Sequence, residues 1–141
     1  MSVLLDTNVL SELLRAQPDS KVLSWMASQP ADAFFVSAVT QAEMMLGARL
    51  LPKGLRRKAL EQTLEAMFLE AFVGRTLPFD SSCTASYAEL VATRRASAKP
   101  ISQFDVQIAA IAVSHRLGLA TRNVSDFDNC GLTVTNPWDI G

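Results

Sequence analysis

Apolar residues fall along the chain in two patterns. Short continuous runs, Val3-Leu4-Leu5, Phe34-Phe35-Val36 and Leu119-Ala120-Thr121, have the form of strands buried on both faces. Between them, apolar residues recur every three or four positions, the period of a helix with one buried face. That spacing predicts helices over 9–14, 19–28, 39–50, 56–72, 82–96 and 102–117. Pro18 stands at the start of the second and Pro30 after its end, Ser37 can cap the third, and Gly118 closes the last. Thr76 to Phe79 reads as a strand at a sheet position that tolerates proline, and Leu132 to Val134 as the final strand. Strand alternating with helix predicts an α/β domain, a mainly parallel sheet sandwiched by helices. Ligands in such folds sit beyond the carboxyl ends of the strands, so the residues just past each apolar run are the first candidates for a site.

Four acids occupy such places. Asp6 directly follows the first strand, where it can cap the next helix or enter the crevice with Thr7 and Asn8 in support. Glu43 lies in the helical stripe Val39, Ala42, Glu43, Leu46, Gly47, Leu50. An acid on that face would be partly buried and must be paired, for example with Arg49, or protonated, or bound to a cation. Asp105 shares a face with Ile108, Ala109 and Ala112 in the first turns of its helix, where the helix dipole favours an anion. Asp126 follows the strand that ends at Thr121 by a short loop, with Asp128 as a possible accessory acid. Two acids after strands and two on inward helix faces can converge at one end of the sheet. At ~5 Å, two carboxylates repel by about 3 kcal/mol for an effective dielectric of about 20. A cluster of them therefore has raised pKa values or holds a divalent cation.

Composition narrows this further. The 141 residues are half apolar and suit a single domain over 1–141. A net charge of −1 argues against a protein that coats nucleic acid through bulk charge. With one histidine, His115, and two isolated cysteines, Cys83 and Cys130, a zinc site is disfavoured, and an all-oxygen donor set points to Mg²⁺ or Mn²⁺. The N-terminus meets Asp6 without a basic region, which is no secretory signal, and no apolar run approaches membrane-spanning length. The expectation is a cytoplasmic protein in a reducing compartment, with no membrane partner.

The segment from Leu4 to Leu13, with Asp6-Thr7-Asn8 at its centre, resembles the opening of PIN-domain nucleases, particularly VapC-type toxins of prokaryotic toxin–antitoxin pairs and their FitB-like relatives. The likeness continues through Ser37 to Glu43, Asp105 to Ala110, Thr121 to Phe127 and Val134 to Trp138, in the expected order. The resemblance implies a three-layer α/β/α PIN-like domain and an Mg²⁺- or Mn²⁺-dependent endoribonuclease. It matches Asp6, Glu43 and Asp105 to the metal-site acids and Asp126 to the fourth, although Asn123 holds the place where some relatives carry an acid. Whether Asp126 or Asn123 faces the metal stays open. Thr7, Asn8 and Thr121 match polar positions that line the same site. RNA as substrate, a small antitoxin whose segment fills the acidic groove, and a homodimer are also implied by the resemblance.

Basic residues for the substrate strand are Arg49, Lys53, Arg56, Arg57 and Lys58, then Arg94, Arg95 and Lys99, with Arg122 beside the acidic loop; Arg49 and Arg122 are the candidate phosphate contacts. A haloacid-dehalogenase-like phosphatase would need a second Asp at position 8, where this chain has Asn8. A receiver-like phosphoacceptor would need an acidic pair near the start. The rival of another class is a non-catalytic partner-binding protein of the same fold, and a housekeeping nuclease is the other alternative.

Overall fold

The structure, a computed structural model, describes residues 2–140. Five parallel strands form one sheet in the order β3-β2-β1-β4-β5. These are β1 (Val3–Leu5), β2 (Phe34–Ser37), β3 (Thr76–Leu77), β4 (Gly118–Ala120) and β5 (Val134–Thr135). Six helices connect them: α1 (Thr7–Leu13), α2 (Ser20–Ala27), α3 (Ala38–Arg49), α4 (Leu55–Ala66), α5 (Thr84–Ala96) and α6 (Gln103–Ser114). Strand side chains alternate between the two faces. Leu4 and Leu119 enter one core with Val106, Ile108 and Ile111 of α6 and Leu90 of α5. Val3, Leu5 and Ala120 enter the other with Val9, Val22, Leu64 and Phe68. Helices thus cover both faces, which is the three-layer α/β/α arrangement expected.

Three local expectations are corrected. The stripe on α3 expected to face inward does not: Leu46 and Leu50 are 56% and 75% exposed, while Thr40 and Ala48 are fully buried. An apolar stripe records a helical period, but which arc is buried is set by the neighbours, here β2 and α4. Gly118 does not close α6. That helix ends at Ser114, Arg116 takes the left-handed turn with φ 56°, and Gly118 opens β4. The helix expected over 56–72 is present but not α-helical to its end, because α4 runs on without a break into a π-helical turn, Met67–Ala71. The proline tolerance inferred for β3 fits its place at the sheet edge, with Pro78 just past its end.

β1 lies between β2 and β4, pairing Val3 with Phe34 on one side and Leu5 with Ala120 on the other. The chain leaves β1 toward β2, whereas β4 returns on the opposite side. That reversal opens a crevice at the carboxyl ends of β1 and β4. The first residues past those two ends are Asp6 and Thr121.

Candidate functional site

Asp6 performs both roles open to it. As N-cap of α1 its Oδ1 accepts the Thr7 N–H at 2.8 Å. Its Oδ2 accepts the Thr121 hydroxyl at 2.7 Å, joining the ends of β1 and β4. Thr121 is fully buried, and its oxygen in turn accepts from Asn8 Nδ2 (3.2 Å) and the Asn123 N–H (3.1 Å). Asn8 completes the bridge by accepting the Arg122 N–H at 3.2 Å. Asp6 and Thr121, 115 residues apart in sequence, are thereby held as one unit.

Glu43 projects from the first half of α3, which Ser37 caps through the Thr40 N–H at 2.9 Å. Its partner is Thr7, not Arg49: the Thr7 hydroxyl donates to Glu43 Oε1 at 2.9 Å. Because Thr7 has a single hydroxyl hydrogen, the 3.0 Å contact between Thr7 and Thr40 must be a donation from Thr40. Arg49 instead pairs with Glu61 at 3.8 Å. Asp105, half-buried, sits in the first turn of α6, where Ser102 caps its N–H at 3.2 Å. Behind it the buried Ile108, Ala109 and Ala112 pack that helix onto the sheet.

Asp6, Glu43 and Asp105, from three separate elements, line one open hollow of about 490 Å³. Thr7, Asn8 and Asn123 share its wall. Asp126 is exposed on a 3-10 turn, Val124–Phe127, outside the hollow's lining but near enough for its charge to act on Asp6 and Asp105. Asp128 is exposed beyond that turn, its carbonyl engaged by Arg94 at 2.8 Å. No histidine or cysteine lines the hollow. Among the described residues, no three His, Cys, Asp or Glu side chains converge on one metal-sized point.

The crowding of acids shapes their ionisation. Burial pushes the Asp6 carboxyl above its ordinary pKa, the Thr121 and Thr7 hydrogen bonds oppose this, and the charges of Glu43 and Asp126 add to it. Asp105 is raised as well, by burial first and then by Asp6 and Asp126, with the Ser102 hydrogen bond and Arg94 pulling the other way. Neighbouring negative charge thus makes Asp6 and Asp105 harder to ionise.

Two features of the hollow escape a reading of single residues. Glu12, only 5% exposed, lines it. The Asp19 N–H at 2.9 Å holds this carboxylate below its usual range, assisted by Arg15. The signal was the polar stripe Asn8, Ser11, Glu12, Arg15, spaced i, i+3, i+4, i+7 along α1. The second feature is Trp138, over whose ring the Arg122 guanidinium lies at 4.9 Å. Both residues line the hollow, so a cation stacked on an aromatic ring shares its wall with the acids. A second hollow of about 510 Å³ shares Thr7, Ser11, Arg15 and Glu43 with the first and extends it toward Arg56.

Comparisons with known proteins agree with this architecture. Residues 3–130 match the PIN domain. The VapC ribonuclease Y4jK of Sinorhizobium fredii is 44% identical over 137 residues, 97% of this chain and 98% of that protein. The crystal structure of FitAcB from Neisseria gonorrhoeae superposes with a TM-score of 0.92 at 40% identity, covering 98% of this chain and 99% of that one. A toxin–antitoxin complex from Klebsiella pneumoniae superposes with a TM-score of 0.72 at 27% identity, covering 99% and 100%. The matched domain, the close superposition and this degree of identity over nearly the whole length place the chain in the PIN-domain family, among its VapC-type ribonucleases.

Proposed function

We propose that the chain is a metal-dependent endoribonuclease and the toxin of a toxin–antitoxin pair. The observation that carries the reading is the meeting of Asp6, Glu43 and Asp105 in one hollow, with Asp6 and Asp105 disfavoured as anions. A wall of carboxylates without nitrogen or sulfur ligands fits a hard divalent cation, Mg²⁺ or Mn²⁺. Asp6, Glu43 and Asp105 line the hollow without meeting at one point, so they would hold it together with water, and Asp126 would contribute from the neighbouring turn. When bound, the ion supplies charge neutralisation and an activated water for hydrolysis of a phosphodiester.

The protein's own groups do the rest. Thr121 fixes the orientation of Asp6 and Thr7 fixes that of Glu43, so neither carboxylate must be ordered when substrate arrives. Whichever of the four carboxylates binds the ion only through water would take the proton of the attacking water. Arg122, stacked on Trp138, presents its N–H edge to a phosphate of the strand, and Arg15 and Arg56 border the groove beyond. The choice of RNA rests on the relative named as a ribonuclease. Partnership with an antitoxin rests on the toxin–antitoxin complex of similar fold, and the acidic hollow suits an arginine-bearing segment of such a partner by charge. Met45, Leu46 and Leu50, exposed on α3, suit a homodimer. The two buried thiols Cys83 and Cys130 suit the cytoplasm, and among the described residues no helix is long and apolar enough to cross a membrane.

The test is metal removal. Purified protein treated with EDTA should lose all cleavage of an RNA substrate and recover it on adding Mg²⁺ or Mn²⁺. Cleavage that persists without metal rejects the mechanism, and no cleavage with either ion favours the non-catalytic partner-binding alternative. Growth arrest on expression of this chain alone, relieved by a small neighbouring reading frame, separates a toxin from a housekeeping nuclease.

Arg122 yields a second expectation. With Arg122→Gln, binding of a labelled single-stranded RNA, measured by fluorescence anisotropy, should weaken. The slope of log affinity against log salt should fall by about 0.7, one phosphate contact on a single strand. A slope equal to that of the wild type would remove Arg122 from the interface.

A further inference from the structure

Arg94 is an arginine in the wrong place for a surface charge. It lies in the last turn of α5, is 5% exposed, and has no carboxylate within ion-pair distance among the described residues. A buried guanidinium is costly unless its donors are matched. Here they are met mainly by backbone: Nε donates to the Lys99 carbonyl at 2.6 Å, and Nη1 to the carbonyls of Asp126 (2.9 Å) and Asp128 (2.8 Å), with the Cys130 sulfur a weaker acceptor at 3.9 Å. Two of the three carbonyls belong to the Val124–Phe127 turn that carries Asp126 and to its exit. The turn also packs against α6 and β5. Beside the bonds internal to its 3-10 helix, the Asp126 N–H bonds to Asn123 O at 3.1 Å and the Asp128 N–H to Ser125 O at 3.3 Å, and bonds of the 3-10 type are poorly aligned. Phe127 and Cys130 are buried and anchor the segment to the core, and the exposed Asp126 stands directly ahead of the first anchor.

We propose that Arg94 is a positioning residue for the active site: its fork of donors to the carbonyls of Lys99, Asp126 and Asp128 fixes the turn so that the Asp126 carboxylate stands beside those of Asp6 and Asp105. Arginine suits the task because its planar guanidinium reaches splayed acceptors at once. A lysine ammonium keeps the charge but is a compact, strongly hydrated point on a flexible stem. The inference rests on the proposed function, in which Asp126 contributes to the metal site.

The test is a double-mutant cycle on the full chain with Arg94→Lys and Asp126→Asn, which preserves the charge at position 94 throughout. Calorimetric Mn²⁺ affinity without RNA, kcat on RNA, and amide exchange over residues 123–128 are measured for each protein. Arg94→Lys should weaken Mn²⁺ binding and kcat by about 10- to 100-fold, as for loss of an outer positioning contact, and speed exchange across the turn. In the Asp126→Asn background it should cause no further loss of affinity or kcat. Multiplicative losses, or wild-type Mn²⁺ affinity and kcat in Arg94→Lys, overturn the positioning role. A fully active Asp126→Asn protein instead overturns the assignment of Asp126, and the role of Arg94 falls with it. Should Arg94→Lys fail to fold, Arg94→Gln, whose amide can still reach one carbonyl, takes its place in the same cycle.

Discussion

Asp6→Asn is expected to reduce RNA cleavage by about 10³-fold or more, equivalent to ~4 kcal/mol of barrier, while the protein stays folded. The side chains are isosteric. Asn can still accept the Thr7 N–H at Oδ1, but its amide puts a donor where Oδ2 accepted the Thr121 hydroxyl, and the Thr121 oxygen already accepts from Asn8 and Asn123. What it lacks is the charge. Burial and neighbouring acids raise the Asp6 and Asp105 pKa values in the folded chain, so the folded state holds these protons more tightly than the unfolded one. Their contribution to stability is therefore present at acid pH and is lost as pH rises from the ordinary carboxylate pKa through the raised one. At neutral pH the ionised cluster opposes folding. The stability of Asp6→Asn relative to the wild type should increase from acid to neutral pH, as read from urea denaturation. A divalent cation should act on the same strain. At ten times its Kd it should stabilise the wild type by about 1.4 kcal/mol and Asp6→Asn markedly less. An active Asp6→Asn protein, or equal stabilisation of both proteins by Mg²⁺, would remove Asp6 from the metal site.

Thr121→Val should be the most damaging conservative substitution at the site, costing about 2–3 kcal/mol of stability, within the range for an unmatched buried polar group. The volume is kept and the hydroxyl is lost. With it go the donor to Asp6 and the acceptor for Asn8 and Asn123. Asn123 is exposed and recovers a water, but Asp6 is buried and does not. Cleavage should fall by about 10- to 100-fold, since the carboxylate is no longer oriented. Thr121→Ser, which keeps the hydroxyl, should restore most of both. Urea denaturation and initial cleavage rates check this; a Val variant matching the wild type in both would mean that the bridge between β1 and β4 is incidental.

Asp6 was visible in the sequence because it ends an apolar run and opens a helix, a place that gives a carboxylate two uses, and the structure has it in both. Asp105 was visible because Ile108, Ala109 and Ala112 mark the arc of α6 that packs inward, and an acid at the start of that arc opens onto the crevice. Glu43 was found for a partly mistaken reason. Its stripe with Leu46 and Leu50 faces solvent, and Glu43 reaches the hollow from the edge of that face, held by Thr7. Arg94 shows the reverse. Beside Arg95 and Lys99 it reads as surface charge, yet it is buried, because its acceptors are backbone carbonyls and carbonyls carry no signature in a sequence.

The sequence by itself determined the elements and the places where acids leave them, because helical and strand periods, caps and breakers act over a few residues. It also carried the family, through short motifs retained in order. Only the tertiary structure decided which arc of α3 is buried, that Thr7 rather than Arg49 holds Glu43, and that Thr121 clasps Asp6. Those outcomes depend on β1 pairing with both β2 and β4, contacts between distant segments whose register is set by packing on two faces of a sheet. Local pattern supplies the side chains, and the sheet brings them to one crevice.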